Sequence, residues 1–442
     1  MTQRRPVILF AATVWWPLSA RLAVRFIEYG CRVTAICPRG HLLRHVAGLD
    51  GIFTYSGMRS MAALEAAIRR TAPDIIIPCD DRVVWQLHEL SELRPDLRPL
   101  IEASLGASRQ FELIRCRHQL LETARNLDVR VPITKRIDSE EDIRSWFAGG
   151  EHSAVLKLDG TWGGEGVVIA HSEVEALEAF RRLSRPAGFG TACKRMLVNR
   201  DPLALWSWSR QSKPAISLQQ FIEGRPANAM LACWNGELLS AVSVEVLVSL
   251  GPTGAAIVVR QTENQEMSRA ARLLAGTLQL TGFCGLDFVL DSAGRSYLIE
   301  MNPRCTQLGH LPFFEGRDLA GALCEKLSGS PCTSYETPIH NQAVAFFARS
   351  LEWVEQHPLR RVYWDIPRGQ PALVKELIRT SWPERQWIAR VYHWFRPQGK
   401  TETTEFVPQD QSAAEVASSS SSEVTTDNLP AHCLYSGQIA GT

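Results

Sequence analysis

Between Gly285 and Gln307 the chain reads GLDFVLDSAGRSYLIEMNPRCTQ, and several of its polar residues are out of place in an ordinary strand. Asp287 interrupts the first apolar run, Glu300 and Asn302 stand at alternate positions of the second, and Arg304 follows Pro303. The stretch DSAG, residues 291–294, predicts a hairpin with a four-residue loop. If Leu290 pairs with Arg295, then Asp287 pairs with Leu298. Period-two alternation puts Asp287, Leu298, Glu300 and Asn302 on one face, with Asp287 and Glu300 as diagonal neighbours. Two carboxylates and an amide oxygen, without a thiol or imidazole, make a hard-oxygen donor set. That set suits Mg2+, with Mn2+ as a substitute, held between protein carboxylates and substrate phosphates. A solvated charge cluster on an edge strand is the plainer alternative. It fits poorly with YLI before Glu300 and MNP after it, where an unpaired charge is costly. Arg304, in the loop beside the donors, is placed to grip a phosphoryl group or a carboxylate bidentately.

A second stretch, AVLKLDGTWGGEGVVIA, puts Lys157 inside an apolar strand just before Gly160, Gly163, Gly164 and Gly166. Backbone amides of such a loop can close over phosphate oxygens while the lysine supplies a point charge. No G-K-[ST] follows, so this is not a Walker A loop. A third stretch, ISLQQFIEGRPAN, is an apolar strand running through Gln219, Gln220, Phe221 and Ile222 to Gly224, and is nondescript alone.

The elements that must position these residues follow from periodicity. Residues 1 to about 105 alternate strand and helix patterns, with strands at Val7–Ala12, Arg32–Cys37 and Asp74–Pro78 and helices at Leu18–Tyr29 and Met58–Thr71. A βαβ series predicts a parallel sheet with ligands near the strand C-ends, where CPRG (37–40) and CDDR (79–82) lie. Asp80 or Asp81 is expected to cap a helix there. No G-x-G-x-x-G follows the first strand, which weakens a dinucleotide reading. Residues 106 to about 150 look mainly helical, 216–248 read as strands, and Met267–Leu280 as a helix. The region to about 400 is rich in Trp (Trp353, Trp364, Trp382, Trp387, Trp394), and packing is its expected role. Residues 401–442 contain no Lys or Arg beyond the boundary and a serine run at 418–422, the composition of a disordered tail.

Bulk properties exclude several classes. A chain of 442 residues with 45% apolar content is globular and multidomain. A formal net charge of +1 gives no field for nucleic acid. The 11 cysteines form no C-x-x-C pair and fit reduced thiols of a cytoplasmic protein. No run reaches the length of a membrane span, and the basic-then-apolar start MTQRRPVILFAATVWW reads as a first strand, not a targeting segment.

In order and spacing the three stretches resemble an ATP-grasp enzyme. GRSYLIEMNPR is similar to the metal-binding strand of the carbamoyl phosphate synthetase large subunit, VLKLDGTWGGEGV to the family's Lys strand and glycine-rich lid, and QQFIEG to the segment joining its lobes. The resemblance covers roughly residues 106–330. It implies an α/β and α+β multidomain architecture: an N-terminal βαβ parallel-sheet domain (1–105), a helical linker and lid lobe (106–215), a metal-binding catalytic lobe (216–345), a Trp-rich segment (346–400) and the tail (401–442), with ATP between the lobes. Asp287, Glu300 and Asn302 would then hold Mg2+ against ATP. Arg304 and Lys157 would act in catalysis, with Lys157 on the α/β-phosphates beneath Gly163, Gly164 and Gly166. Gln219, Gln220, Phe221 and Ile222 would line the adenine pocket. Two departures stand out. Arg117 occupies the place of the family's Lys in a D-K pair. Pro226 and Ala227 stand where a ribose-binding Glu is usual, leaving Asn228 as its stand-in. The implied reaction activates a carboxylate as an acyl phosphate and joins it to an amine. The alternative is a nucleotide-binding protein that phosphorylates a small substrate or does no chemistry. Expected partners are small carboxylates and amines, not nucleic acid or membrane, with a homodimer left open. Substrate identity is assigned to residues 79–82, 245–260, Gln307 and His310, with Arg260 as a candidate for a substrate carboxylate and His310 as a candidate base.

Overall fold

The βαβ pattern of the first hundred residues builds the parallel sheet it predicts. Strands β1 (Val7–Ala11), β2 (Arg32–Cys37), β3 (Gly51–Thr54) and β4 (Ile75–Pro78) lie in the order β3-β2-β1-β4, all neighbours parallel. The apolar side chains of β1, β2 and β4 are buried on both faces, as a parallel sheet covered by helices requires, while edge strand β3 leaves Ile52 exposed. Leu9, Ala11, Ile36 and Ile76 face the helices Ser60–Thr71 and Asp81–Leu93, while Ile8, Phe10, Ile75 and Ile77 face the rest of the molecule. The structure, a computed structural model, describes residues 4–150, 152–159, 166–185, 193–194, 196–197, 215–313, 318–332, 338–340, 342–357, 362–395 and 403–406.

A second sheet contains β5 (Thr134–Ile137), β6 (Ala154–Leu158), β7 (Val167–Ala170) and β8 (Ile216–Gln220), ordered β5-β8-β6-β7 with antiparallel neighbours. Helices Glu140–Ala148 and Glu173–Leu183 cover it. Both start at serine caps, Ser139 and Ser172, whose hydroxyls accept backbone N–H groups of the first turn. Ile143, Trp146, Ala176 and Ala179 from these helices close a core with Ala154, Leu156, Ile216 and Leu218.

The largest sheet runs β13-β12-β9-β10-β11-β14-β15, with β16 added beside β10. Its strands are β9 (Arg225–Trp234), β10 (Glu237–Leu250), β11 (Ala256–Gln261), β12 (Gly282–Leu290), β13 (Ser296–Asn302), β14 (Ala343–Ala345), β15 (Val362–Trp364) and β16 (Thr403–Glu405). One face packs on helix Gln265–Leu278 and on helix Arg117–Asn126, and the latter also touches β5 of the second sheet. The other face meets the N-terminal domain: Met230, Ala232, Val242 and Val244 share one core with Phe10, Phe26 and Ile75.

Three expectations change. The helix expected to run to Val131–Pro132 ends at Asn126, and the segment after Pro132 contributes strand β5 to the lid sheet, where Ile137 pairs with Ile216. The Trp-rich region joins the large sheet through β15, parallel to β14, with Trp353 buried but Trp387 and Trp394 exposed at 70% and 77%. Residues 403–405, expected to be disordered, pair with Val248–Leu250, where β-branched Thr403 and Thr404 fit a strand; residues 407–442 of that tail lie outside the described residues. Among the described residues no helix is long and apolar enough to cross a membrane.

Candidate active site

The β12–β13 turn is longer than expected. Asp291 N–H donates to the Arg295 carbonyl at 3.1 Å, and Asp291 Oδ1 accepts from the Ala293 and Arg295 amides at 3.0 and 2.9 Å. Leu290 therefore pairs with Ser296, not with Arg295. A bulge follows: Phe288 faces Leu298 while Asp287 faces Glu300, leaving Ile299 as the extra residue. These shifts correct the expected pairing. Asp287 stands directly opposite Glu300, neither opposite Leu298 nor diagonal to its carboxylate partner.

On its other side β12 places Asp287 opposite Asn228 of β9. A row Asn228–Asp287–Glu300 thus crosses three adjacent strands, with Asn302 two residues further on the same face. Asn228 Nδ2 donates to Asp287 Oδ1 at 2.6 Å, and Asn302 Nδ2 to Asp287 Oδ2 at 2.9 Å. Asn228 is therefore a member of the carboxylate row, and the structure ties it to Asp287 in the place assigned to ribose contact.

Cations ring this row. Arg117, at the start of helix Arg117–Asn126, donates from Nη1 to Asp159 Oδ1 at 2.9 Å and from Nη2 to Glu300 Oε1 at 3.0 Å. Lys157, buried on β6, reaches across from the lid sheet and donates to the Ile299 carbonyl at 3.3 Å. Gln219 Nε2 donates to the same carbonyl at 3.4 Å. The bulge thus turns one carbonyl away from its ladder and offers it to the other lobe. Arg304 donates from Nε to Asp81 Oδ1 at 3.0 Å, from Nη2 to Asn302 Oδ1 at 3.3 Å and from Nη1 to the Cys305 carbonyl at 3.4 Å.

The two facing carboxylates differ electrostatically. Burial, and then the charge of Glu300, push the Asp287 carboxyl up to about 6. Burial alone would also raise Glu300, but Arg117 and Lys157 hold it below the usual carboxylate range. Burial pushes the Lys157 ammonium down to about 8, against the pull of Glu300. The excess negative charge at Asp287, with only neutral amides bonded to it, is what a divalent cation would relieve. Among the described residues no cluster of three or more His, Cys, Asp or Glu suited to a metal ion occurs. The donor set fits Mg2+ in its usual arrangement of one or two carboxylates completed by phosphates and water.

The remaining assigned residues sit nearby. Gln219 also donates to Thr134 Oγ1 at 3.1 Å, and Gln220 Oε1 accepts from the Ile133 amide at 3.4 Å. Half-buried Phe221 and Ile222 follow β8 directly, with the Phe221 ring edge-on to His171 at 5.8 Å. Gly166, at φ +75°, closes the β6–β7 hairpin by accepting the Leu158 amide at 2.9 Å, whereas Gly160, Gly163 and Gly164 lie outside the described residues. Of the two acids in CDDR, Asp80 caps helix Asp81–Leu93 through the Val83 amide and also binds Thr13, which leaves Asp81 to Arg304.

Two candidates are not brought to the row. Arg260 pairs with Glu245 at 3.6 Å, on the face opposite to Val244 and Val246 and hence away from Asp287. His310 is buried, with Nε2 at 2.9 Å from Asp365 Oδ1, and Asp365 also pairs with buried Arg21 at 3.0 Å. Packing explains that histidine. Conversely, Asp159 and the Ile299 carbonyl escaped sequence reading. An acid two residues past a strand lysine was a signal for the first; nothing in the sequence marked the bulge. A cleft of about 70 Å3 opens beside the row, lined by Asp81, Trp85, Arg115, Arg117, Asp159 and Glu300 among others.

Comparison with known proteins follows this geometry. A family model of the ATP-grasp domain matches residues 189–307. Curated protein sequences give no match. Solved structures share the fold. The chain is similar to the N5-carboxyaminoimidazole synthetase of Staphylococcus aureus, solved with ADP, at 13% identity and TM-score 0.53, over 77% of this chain and 82% of that one. It is similar to the biotin carboxylase of Campylobacter jejuni at 13% identity and TM-score 0.54, over 77% and 75%. It is similar to the L-amino acid ligase of Bacillus licheniformis at 14% identity and TM-score 0.50, over 74% and 75%. The chain carries an ATP-grasp domain and has the fold of the ATP-grasp superfamily.

Proposed function

We propose that this protein is an ATP- and Mg2+-dependent ligase that activates a carboxylate as an acyl phosphate and joins it to an amine. The observation that carries the reading is the direct opposition of Asp287 and Glu300, ringed by Arg117, Lys157 and Arg304. Asp287 and Glu300, with Asn302, would hold Mg2+, which supplies charge neutralisation and a template for the phosphates. Lys157 and Arg117 are the cations for the phosphate chain, and both are already drawn to Glu300. Arg304, whose guanidinium lies between Asn302 and Asp81, faces the transferred phosphoryl group or the acyl phosphate. Phosphoryl transfer asks the protein for positioning and charge more than for covalent help, and this cluster provides both. The L-amino acid ligase fold neighbour supports an amide-forming reading, and the carboxylase and synthetase neighbours support the general kind of reaction. The test measures ADP release with pooled amino acids and small carboxylates. Amine-dependent release that is abolished in Glu300→Gln is expected. Nucleotide binding without any amine-dependent turnover would overturn the reading in favour of a non-ligating nucleotide-binding protein.

A further inference from the structure

Three carboxylates line the cleft beside the row, and each gives one oxygen to an arginine. Glu300 and Asp159 give theirs to Arg117, within the row's ring of cations. Asn302 is engaged at both ends of its amide, by Asp287 and Arg304. Asp81 gives one oxygen, Oδ1, to Arg304 Nε at 3.0 Å; its Oδ2 makes no hydrogen bond among the described residues. Asp81 lines the cleft with its side chain 16% exposed, so Oδ2 is open to a ligand without having been left to bulk water.

What lies next to Asp81 defines the ligand further. Trp85 is four residues on in helix Asp81–Leu93, hence on the same helix face one turn away. It also lines the cleft, together with Ile114, Leu120, Met301 and Pro303, which make an apolar floor. The Arg115 guanidinium sits over the Trp85 ring, 5.9 Å from its centroid, at an exposed position on the cleft wall. Carboxylate, indole and guanidinium therefore succeed one another along one wall. The carboxylate end is joined to the metal row through Arg304 and Asn302, and the guanidinium end is at the solvent side.

We propose that this wall is the acceptor subsite, and that it takes a protonated amine separated from an anionic group by a flat or apolar body. The ammonium group binds Asp81 Oδ2, the body lies on Trp85, and the distal anion meets Arg115. In the ligase reading, on which its catalytic meaning rests, this arrangement holds the amine beside Arg304, where the activated carboxylate is gripped. The ammonium gives a proton to Asp81 Oδ2, and the freed amine forms the C–N bond at the acyl carbon. The bond from that carbon to the phosphate oxygen breaks, and inorganic phosphate and the second proton leave. The wall selects against amines that carry no apolar body, because the space over Trp85 would then remain wet. It also selects against carboxylates that carry no amine, which would bring a second negative charge to the wall and leave Asp81 Oδ2 without a partner.

Calorimetric titration of the full-length protein with 4-(aminomethyl)benzoate tests the subsite without any need for turnover. Binding to the unmodified protein is expected. Asp81→Asn should weaken it by about tenfold or more, the usual scale of a lost charge-assisted hydrogen bond. Arg115→Gln should weaken it less, because Arg115 is exposed and solvent-screened. 4-Methylbenzoate, which lacks the amine, should bind more weakly and should gain affinity, not lose it, in Asp81→Asn. Trp85→Ala should weaken both compounds. Thermal melting confirms that each variant is folded. No binding by the unmodified protein, or equal affinity in folded Asp81→Asn, overturns the proposal. ADP release assayed in parallel separates the two claims: binding as described with no amine-dependent turnover leaves the subsite standing and removes the ligase reading. Turnover with amines that is indifferent to Asp81→Asn does the reverse.

Discussion

The lobe built on the largest sheet meets its two neighbours in opposite ways. Against the N-terminal domain the seam is apolar and continuous: Phe10, Phe26 and Phe283 stack edge to face at 6.0 and 6.2 Å within one shared core. Two buried ion pairs, Arg21–Asp365 and Arg25–Asp318, are set into that seam. Against the lid sheet, the described contacts around the row are polar: Arg117 to Asp159, and Lys157 and Gln219 to the Ile299 carbonyl. The lid sheet closes its own core, which shares no residue with the cores on the largest sheet. An apolar seam is close-packed and costly to part, whereas hydrogen bonds at a cleft can be exchanged for water or for phosphate oxygens. The difference teaches which boundary is scaffold and which is built to receive a ligand.

That contrast predicts that damage to the apolar seam reads out as stability and damage to the polar seam as activity. Phe26 is fully buried between the N-terminal sheet and Phe283. Phe26→Ala should cost about 3–5 kcal/mol in urea or thermal unfolding, through lost transfer energy and the cavity left behind. Nucleotide affinity should stay unchanged at temperatures where the variant is folded. A cost under about 1 kcal/mol would show that the seam is not a core. The ion pair sharpens the point. Asp365→Ala leaves the Arg21 guanidinium and His310 Nε2 buried without their carboxylate and should cost about 3–5 kcal/mol, while Arg21→Met with His310→Phe and Asp365→Leu should recover most of it. Failure of the triple variant to recover would mean that the group does more than fill the seam.

In the polar seam the two readouts trade places. Glu300→Gln removes a charge that faces Asp287 and that holds Arg117. Turnover should fall by about 100- to 1,000-fold, the scale of losing one preorganised electrostatic group. The melting temperature should fall only slightly, because relief of the Asp287–Glu300 confrontation offsets part of the lost attraction of Glu300 for Arg117 and Lys157, and Arg117 keeps Asp159. Unchanged turnover, or a large loss of stability, would erase the distinction between the seams.

How much of this was legible in the sequence follows the same division. A carboxylate inside an apolar alternation has no packing reason to be there, so Asp287, Glu300 and Asn302 stood out, and Lys157 did for the same reason. The parallel N-terminal sheet was readable because its strands are short, continuous and apolar. The register was not, because the Ile299 bulge depends on how β13 must bend to meet both β12 and the lid, and no local residue announces it. Asp80 and Asp81 looked alike; only the cap on Val83 and the approach of Arg304 separate them. Arg260 looked free because its partner Glu245 lies across a hairpin whose register shifts twice. Asn228 looked like a lone polar residue because its partner Asp287 is 59 positions away.

The smallest expected effect tests whether Lys157 belongs to the ligand or to the scaffold. Its ammonium is buried and pushed down to about 8 from an ordinary value of 10.5, with burial the main cause. The free protein therefore carries the charge below about pH 8 and loses it above. Nucleotide phosphates need the charged form, so affinity should be flat from pH 6.5 to 8 and then fall, by up to about tenfold per pH unit. Fold stability moves the other way. Burying the ammonium costs most below pH 8, and the cost is relieved as pH rises from there toward 10.5, where the unfolded chain also deprotonates. Nucleotide titrations across pH 6.5–9.5 separate the two effects. Lys157→Arg, which keeps its charge throughout, should flatten the affinity profile. A profile already flat to pH 9.5 in the unmodified protein would assign Lys157 to the Ile299 carbonyl alone. The polar seam would then be a second piece of scaffold, not a place where a ligand trades with the protein for hydrogen bonds.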